Sequence, residues 1–169
     1  GNDTLSGGYG NDTYLFNIGD GTDVISDYDP NINTDILQFG AGISAAAVQM
    51  NRVGDNLELN INVSDKVTLQ SYFSNPVYRV ESIAFAADPA WDLTTVMSKL
   101  TYNGTAGADY MNGITGYANR INGLDGADTI YGQDMADVLN GGAGADNING
   151  NAGNYTITGG TGNDTLSGG

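Results

Sequence analysis

The residues able to do chemistry in this chain are aspartates, and they recur at fixed spacing. With Gly104 as position one of a nine-residue frame, repeats begin at Gly104, Gly113, Gly123, Gly132, Gly141, Gly150 and Gly159, and Gly168-Gly169 opens another. Position six reads Asp109, Asn119, Asp128, Asp137, Asp146, Tyr155 and Asp164. Position four is glycine at Gly107, Gly116, Gly126, Gly144, Gly153 and Gly162, with Met135 as the exception, and the ten-residue step after Gly113 marks Tyr117 as inserted. A carboxylate beside glycine-rich backbone offers oxygen ligands only: its own two atoms and the exposed carbonyls of the turn. Hard oxygen donors in a flexible loop suit Ca²⁺ better than a softer or more rigidly octahedral ion.

The same frame dictates the elements that must hold those carboxylates. Position eight is apolar throughout, as Met111, Ile121, Ile130, Leu139, Ile148, Ile157 and Leu166. One apolar residue in nine cannot make a helix face or an ordinary amphipathic strand. It can make a very short strand with one inward side chain, joined by a glycine turn whose backbone other residues resist. Two repeats then form one coil of a flattened parallel solenoid, with coils stacked about 4.8 Å apart. Aspartates on one edge stack as well, at a distance where unscreened like charges repel, and a divalent cation between turns removes that repulsion.

Alternate repeats share an edge. The first edge collects Asp109, Asp128, Asp146 and Asp164, an unbroken column that predicts three interturn ions. Its turns offer carbonyls from Gly104, Ala106 and Gly107, from Gly123, Asp125 and Gly126, from Gly141, Gly142, Ala143 and Gly144, and from Gly159, Gly160, Thr161 and Gly162. The second edge collects Asn119, Asp137 and Tyr155, and only Asp137 supplies a carboxylate, so this edge is expected to hold few ions or none.

Composition removes most other chemistry. Lys plus Arg total 5 against 20 Asp plus Glu, a formal charge of −15, and there is no His and no Cys. Zinc sites on His or Cys, Ser-His-Asp triads, thiol nucleophiles and disulfides are excluded. The negative field disfavours nucleic acid and anionic membranes, and no apolar run reaches the length of a membrane span. The chain starts and stops inside glycine-rich text, which reads as a segment of something longer.

The stretches GGAGADNIN (Gly141–Asn149), GGTGNDTLS (Gly159–Ser167) and GGYGNDTYL (Gly7–Leu15) closely resemble the haemolysin-type, or RTX, nonapeptide GGxGxDxUx. The resemblance implies a right-handed parallel β-roll with Ca²⁺ in its turns. It also implies a bacterial protein secreted by the type I pathway, disordered in calcium-poor cytosol and folding outside the cell. The repeats continue at the other end of the chain: Gly1–Ser6 carries Asp3, Gly7–Leu15 carries Asp12 and Ile18–Ser26 carries Asp23. Asp3 and Asp23 are expected on one edge, with Asp12 alone on the other. Gly1–Gly8 and Gly162–Gly169 are identical, which suggests a parent that alternates roll blocks with another module.

Between the rolls glycine thins out and period-two alternation appears. Leu57, Leu59, Ile61 and Val63 alternate with polar residues, and Ala47–Val53 pairs with Leu57–Val63 across Gly54-Asp55-Asn56. Asp35–Phe39 and Val80–Ala86 are shorter strand candidates. Asp88 or Asp92 could cap a helix bearing Leu93, Val96, Met97 and Leu100, with Pro89 in its first turn. This text, at Gly19–Asp29, Asp35–Ser44, Asp65–Phe73 and Val80–Leu93, resembles the calcium-binding-related module that accompanies RTX repeats. The expected fold is all-β: parallel β-roll blocks at 1–26 and 103–169 flanking a small antiparallel module at 27–102 that ends in a short helix and covers open roll ends.

Asp27-Tyr28-Asp29 could be a catalytic carboxylate pair, but turn residues or calcium ligands account for it better, and no enzymatic function is expected. The expected function is a calcium-binding structural and folding module of a larger secreted toxin, adhesin or exoenzyme. Its partners would be several Ca²⁺ ions and the rest of the parent polypeptide, with no nucleic acid and no membrane span, and the segment itself monomeric. The alternative is an extracellular glycan- or protein-binding module for which the rolls are spacers.

Overall fold

The structure, a computed structural model, describes residues 1–31 and 33–169, which divide into two compact units, Gly1–Val96 and Met97–Gly169. The first unit contains β1 (Thr4–Leu5), β2 (Thr13–Phe16), β3 (Thr22–Ile25), β4 (Ile36–Phe39), β5 (Gln49–Val53), β6 (Asn56–Asn60), β7 (Lys66–Leu69) and β8 (Ser82–Ala84). Helix α1 (Leu93–Lys99) spans the boundary between the units. The second unit contains β9 (Tyr102–Asn103), β10 (Tyr110–Asn112), β11 (Arg120–Asp125), β12 (Thr129–Tyr131), β13 (Val138–Ala143), β14 (Asn147–Asn149), β15 (Thr156–Thr161) and β16 (Thr165–Ser167).

In the second unit each nine-residue repeat gives one strand, and successive strands alternate between two all-parallel sheets, β9-β11-β13-β15 and β10-β12-β14-β16. The register sets identical slots side by side: Met111, Ile130, Ile148 and Leu166 in one sheet, Ile121, Leu139 and Ile157 in the other. Met111, Ile121, Ile130, Leu139 and Ile148 form one buried cluster, with Tyr102 and Ile157 packed against it. The core is a single file of side chains between two thin sheets, each burying roughly 1.5–3 kcal/mol of apolar transfer free energy. Polar flanking positions face outward, where Asn122 and Asn140 donate to Asn103 and Asn122 at 3.2 and 2.9 Å. The chain is nearly all-β, built of parallel stacked coils with an antiparallel part and the short helix α1.

The first unit begins in the same way. β3 stacks parallel on β1, and β4 stacks parallel on β2. The strands after the glycine-rich text continue this stacking: β7 pairs parallel with β3, and β8 pairs parallel with β4. The antiparallel ladders run through β5, β6 and β7, with β5 and β6 joined as a hairpin across Gly54-Asp55 in the expected place. Gly54 carries a positive φ of 59°, which explains the glycine at that corner. Buried Phe16, Phe39, Phe85 and Trp91 pack in a chain of rings, with centroids 6.1, 5.3 and 4.7 Å apart.

The helix start differs in detail from the expectation. Asp92 Oδ1 accepts the Thr95 N–H at 2.8 Å and is the capping residue. Asp88 accepts instead from the Ala45 N–H, at 2.8 Å, and Pro89 precedes the helix because the chain first pairs Trp91 with Ile83 in an antiparallel bridge.

Candidate metal centre

On the first edge of the second unit the position-six carboxylates stand one above the next. Asp128 Oδ1 accepts the Asp109 N–H at 2.9 Å, Asp146 Oδ1 that of Asp128 at 2.9 Å, and Asp164 Oδ1 that of Asp146 at 3.1 Å. Each carboxylate thus bonds the backbone of the preceding coil with one oxygen. The other oxygen folds back over the position-one glycine of its own turn. A Cβ on Gly123, Gly141 or Gly159 would collide with the Oδ2 of Asp128, Asp146 or Asp164, and a Cβ on Gly104 would lie 2.8 Å from Asp109 Oδ2. Glycine at position one is therefore favoured by the carboxylate five residues on and required, at Gly104, Gly123 and Gly141, by the backbone carbonyl of the next turn.

Backbone carbonyls form ladders along the same turns. Gly104 abuts the Gly123 carbonyl, Gly123 that of Gly141, and Gly141 that of Gly159. At position four, Gly126 abuts the Gly107 carbonyl, Gly144 that of Gly126, and Gly162 that of Gly144. At position two, Gly142 and Gly160 abut the carbonyls of Leu124 and Gly142. Asp125, Ala143 and Thr161 stack in register at position three, and the Ala143 and Thr161 carbonyls accept the N–H groups of Gly126 and Gly144. Ala106 lies in the preceding turn, where the Thr105 N–H and hydroxyl donate to Asp109 Oδ2 at 2.6 and 2.9 Å.

The decisive detail is what the second carboxylate oxygens lack. Asp128, Asp137 and Asp146 are 1, 1 and 2 % exposed, and the Oδ2 of each is buried with no hydrogen-bond partner. Burial pushes the Asp128 and Asp137 carboxyls above the usual aspartate range; Asp128 is raised further by its neighbours Asp146 and Asp109, and Asp137 by Asp134. A buried anionic oxygen without a donor is satisfied by a cation with an all-oxygen shell. No three acidic side chains converge among the described residues, so backbone carbonyls would supply most of any such shell. The residues fit Ca²⁺.

The second edge is built differently. Asp137 keeps the same geometry, with Oδ1 accepting the Asn119 N–H at 2.8 Å and Oδ2 2.6 Å from a Cβ built on Gly132. Asn119, however, turns its amide nitrogen toward the oxygen ladder, and the Tyr155 ring lies over Gly150 where a carboxylate would otherwise fold. The Tyr155 hydroxyl accepts the Gly169 N–H at 2.8 Å. Position two of this edge holds Gln133 and Asn151 at φ of 91° and 57°, backbone that glycine adopts more readily.

In the first unit Asp23 Oδ1 accepts the Asp3 N–H at 2.9 Å, placing those two on one edge as expected. Asp12 is not alone on the other edge. Its N–H donates to Asp35 Oδ1 at 2.8 Å, and the Asp35 N–H donates to Glu81 Oε2 at 2.8 Å, so Asp12, Asp35 and Glu81 form a second carboxylate ladder. Asp12 Oδ2 is buried and unpartnered like those of the first edge. Burial, with Asp27 and Glu81 nearby, pushes the Asp35 carboxyl up to about 6. The nonapeptide frame hides this ladder because its members lie 23 and 46 residues apart. The three acidic residues each precede a strand of one parallel sheet, in which Thr13-Tyr14 pairs with Ile36-Leu37 and these pair with Ser82-Ile83.

Asp27 and Asp29 are buried and hydrogen-bonded to neighbouring groups. The Tyr14 hydroxyl donates to Asp27 at 2.7 Å, and Asp29 accepts from the N–H groups of Gly10 and Asn31 and from the Asn33 amide. The backbone donors Asn31 and Gly10 hold the Asp29 carboxyl below the usual range.

Fold and edge together define a β-roll whose turns are lined by stacked oxygen ligands. The RTX calcium-binding nonapeptide repeat family matches residues 1–25 and, in overlapping segments, 114–140, 122–157, 132–166 and 156–169. The haemolysin-type calcium binding protein related domain matches residues 56–94, which contain β6, β7 and β8. The chain thus carries RTX calcium-binding nonapeptide repeats on either side of a haemolysin-type calcium binding related domain, and the metal of such repeats is calcium, in several ions. A search of curated proteins returned no match.

Proposed function

We propose that this chain is a calcium-gated folding module of a larger secreted protein, with three ions held between the four turns of the first edge. The buried, unpartnered Oδ2 atoms of Asp128 and Asp146 carry this reading. In bound form Ca²⁺ supplies the positive charge and the coordination those oxygens lack. Asp109, Asp128, Asp146 and Asp164 contribute carboxylate oxygens, and the position-one, position-two and position-four backbone contributes carbonyls from both turns. Asp3, Asp12 and Asp23 extend the same scheme to the first unit, and Asp137 is the one candidate ligand of the second edge.

A cation that binds only the stacked coils stabilises them by RT ln(1 + [L]/Kd), roughly 1–3 kcal/mol per site for calcium between several-fold and a hundredfold above Kd. Three sites together rival the whole stability of an ordinary domain. The module is then unfolded where calcium is scarce and folded where it is plentiful, which suits export in an extended state and folding outside the cell. RTX repeat proteins are typically secreted, which agrees with that placement. The proposed role is structural rather than enzymatic; the absence of His and Cys and the hydrogen bonds that Asp27 and Asp29 accept from Tyr14 and Gly10 support this reading. Crystals grown in calcium test the site assignment by anomalous scattering. Three peaks between the first-edge turns are expected, and a first edge without any peak would overturn it.

A further inference from the structure

We propose that Asn119 is a built-in substitute for a calcium ion, closing the first step of the second edge without metal. The proposal deepens the calcium reading of the opposite edge and rests on it. In the aspartate turns the side-chain atom folded over the position-one glycine is an oxygen: a Cβ on Gly123 or Gly141 would collide with it, and at Asp128 and Asp146 it is buried without a partner. In the Asn119 turn the atom in that place is Nδ2, 2.7 Å from a Cβ built on Gly113. The Ile114 N–H donates to Asn119 Oδ1 at 2.7 Å, which fixes the amide orientation and aims the nitrogen into the ladder.

Four oxygens surround that nitrogen. Tyr117 O lies at 2.8 Å, Gly132 O at 3.0 Å, Asp137 Oδ1 at 3.0 Å and Ile114 O at 3.3 Å. Three carbonyls and one carboxylate drawn from two successive turns are the donor set of an interturn cation. Gly132 O stands to Gly113 as Gly123 O stands to Gly104, so the carbonyl ladder is the same on both edges. The inserted residue of the repeat supplies the nearest carbonyl, that of Tyr117, so the insertion and the asparagine act together. An amide N–H₂ brings two hydrogens and a partial positive charge to oxygens that otherwise need an ion. Asn119 is 3 % exposed, so its hydrogens have no competing water. The consequence is a roll with one calcium-dependent edge and one edge whose first step is stitched in advance.

Replacing Asn119 by aspartate puts an oxygen where the nitrogen stands and leaves the other ligands in place. Native mass spectrometry in saturating calcium, with the wild type and Asn119→Asp side by side, counts ions on each. The variant is expected to bind one ion more than the wild type, and its melting temperature to respond more strongly to calcium. Equal counts would overturn the inference. The wild-type count judges the calcium reading separately, because the inference depends only on the difference between the two proteins. Asn119→Ala provides a second readout in saturating calcium, where it is expected to melt below the wild type without gaining an ion. A melting temperature equal to that of the wild type would show that the four contacts hold nothing, and would also overturn the inference.

Discussion

Replacing Asp128 by asparagine should change stability in opposite directions with and without calcium. Asp128 lies between Asp109 and Asp146 in the first-edge ladder, and both neighbours raise its carboxyl pKa. At the coil spacing of about 4.8 Å, each like-charge neighbour costs about 1–3 kcal/mol for an effective dielectric between bulk water and protein surface. The substituted amide would keep the acceptor for the Asp109 N–H and place its nitrogen over Gly123, as Asn119 does over Gly113. In chelator at low salt the variant's folded state should therefore be favoured by roughly 2–6 kcal/mol over that of the wild type, so it should keep part of the folded circular-dichroism signal that the wild type loses there. In saturating calcium the same change removes a ligand from the two ion sites on either side of residue 128. At roughly 1–3 kcal/mol per site, Tm should fall by at least about 4 °C for a chain of this length. The circular-dichroism signal in chelator and thermal melts in calcium measure the two effects. A shift of the same sign in the two conditions would refute the electrostatic argument.

Other consequences follow from single residues. Leu124 sits at position two with φ of 77° and is 41 % exposed, so Leu124→Gly should relieve left-handed strain and stabilise the roll by about 1 kcal/mol in chemical denaturation. Ile130 is fully buried in the single-file core, and Ile130→Ala should cost about 2–5 kcal/mol by the same measurement, since thin sheets cannot collapse onto the cavity. Asp65 accepts N–H bonds from Gly19 and Gly21 and one from the Asn62 amide, which hold its carboxyl below the usual range. Its folded pKa is depressed, so its contribution is present above the ordinary aspartate pKa and disappears as pH falls through the folded value. Melts of wild type and Asp65→Asn should differ at pH 6 and converge as the medium is acidified below the ordinary aspartate range. A gap that is constant with pH would show that the charge is not what matters.

The second unit was legible residue by residue because each slot of the nonapeptide meets a different physical demand. Position eight must be apolar to fill the space between the sheets, as Ile130 and Leu139 do, and position one must lack a Cβ because the carboxylate five residues later and the backbone carbonyl of the next turn lie on it. The asymmetry of the two edges was also readable, since neither Asn119 nor Tyr155 carries a charge. What Asn119 does instead was not, because four acceptors around one nitrogen depend on where the inserted Tyr117 puts its carbonyl. The hairpin across Gly54 was readable from alternation and turn chemistry. The Asp12–Asp35–Glu81 ladder was not, because irregular loops and the β5-β6 hairpin separate its rungs and erase the period. Parallel pairing between residues so far apart leaves no local mark on composition.

The central claim is that stacked carboxylates keep the coils apart until calcium neutralises them. Hydrogen exchange at the amides of β12 and β14 in metal-free, low-salt buffer tests it most directly, before and after calcium is added. Rapid exchange without the ion and strong, cooperative protection with it is the predicted result. Protection already present in the metal-free protein and unchanged by calcium would contradict the account.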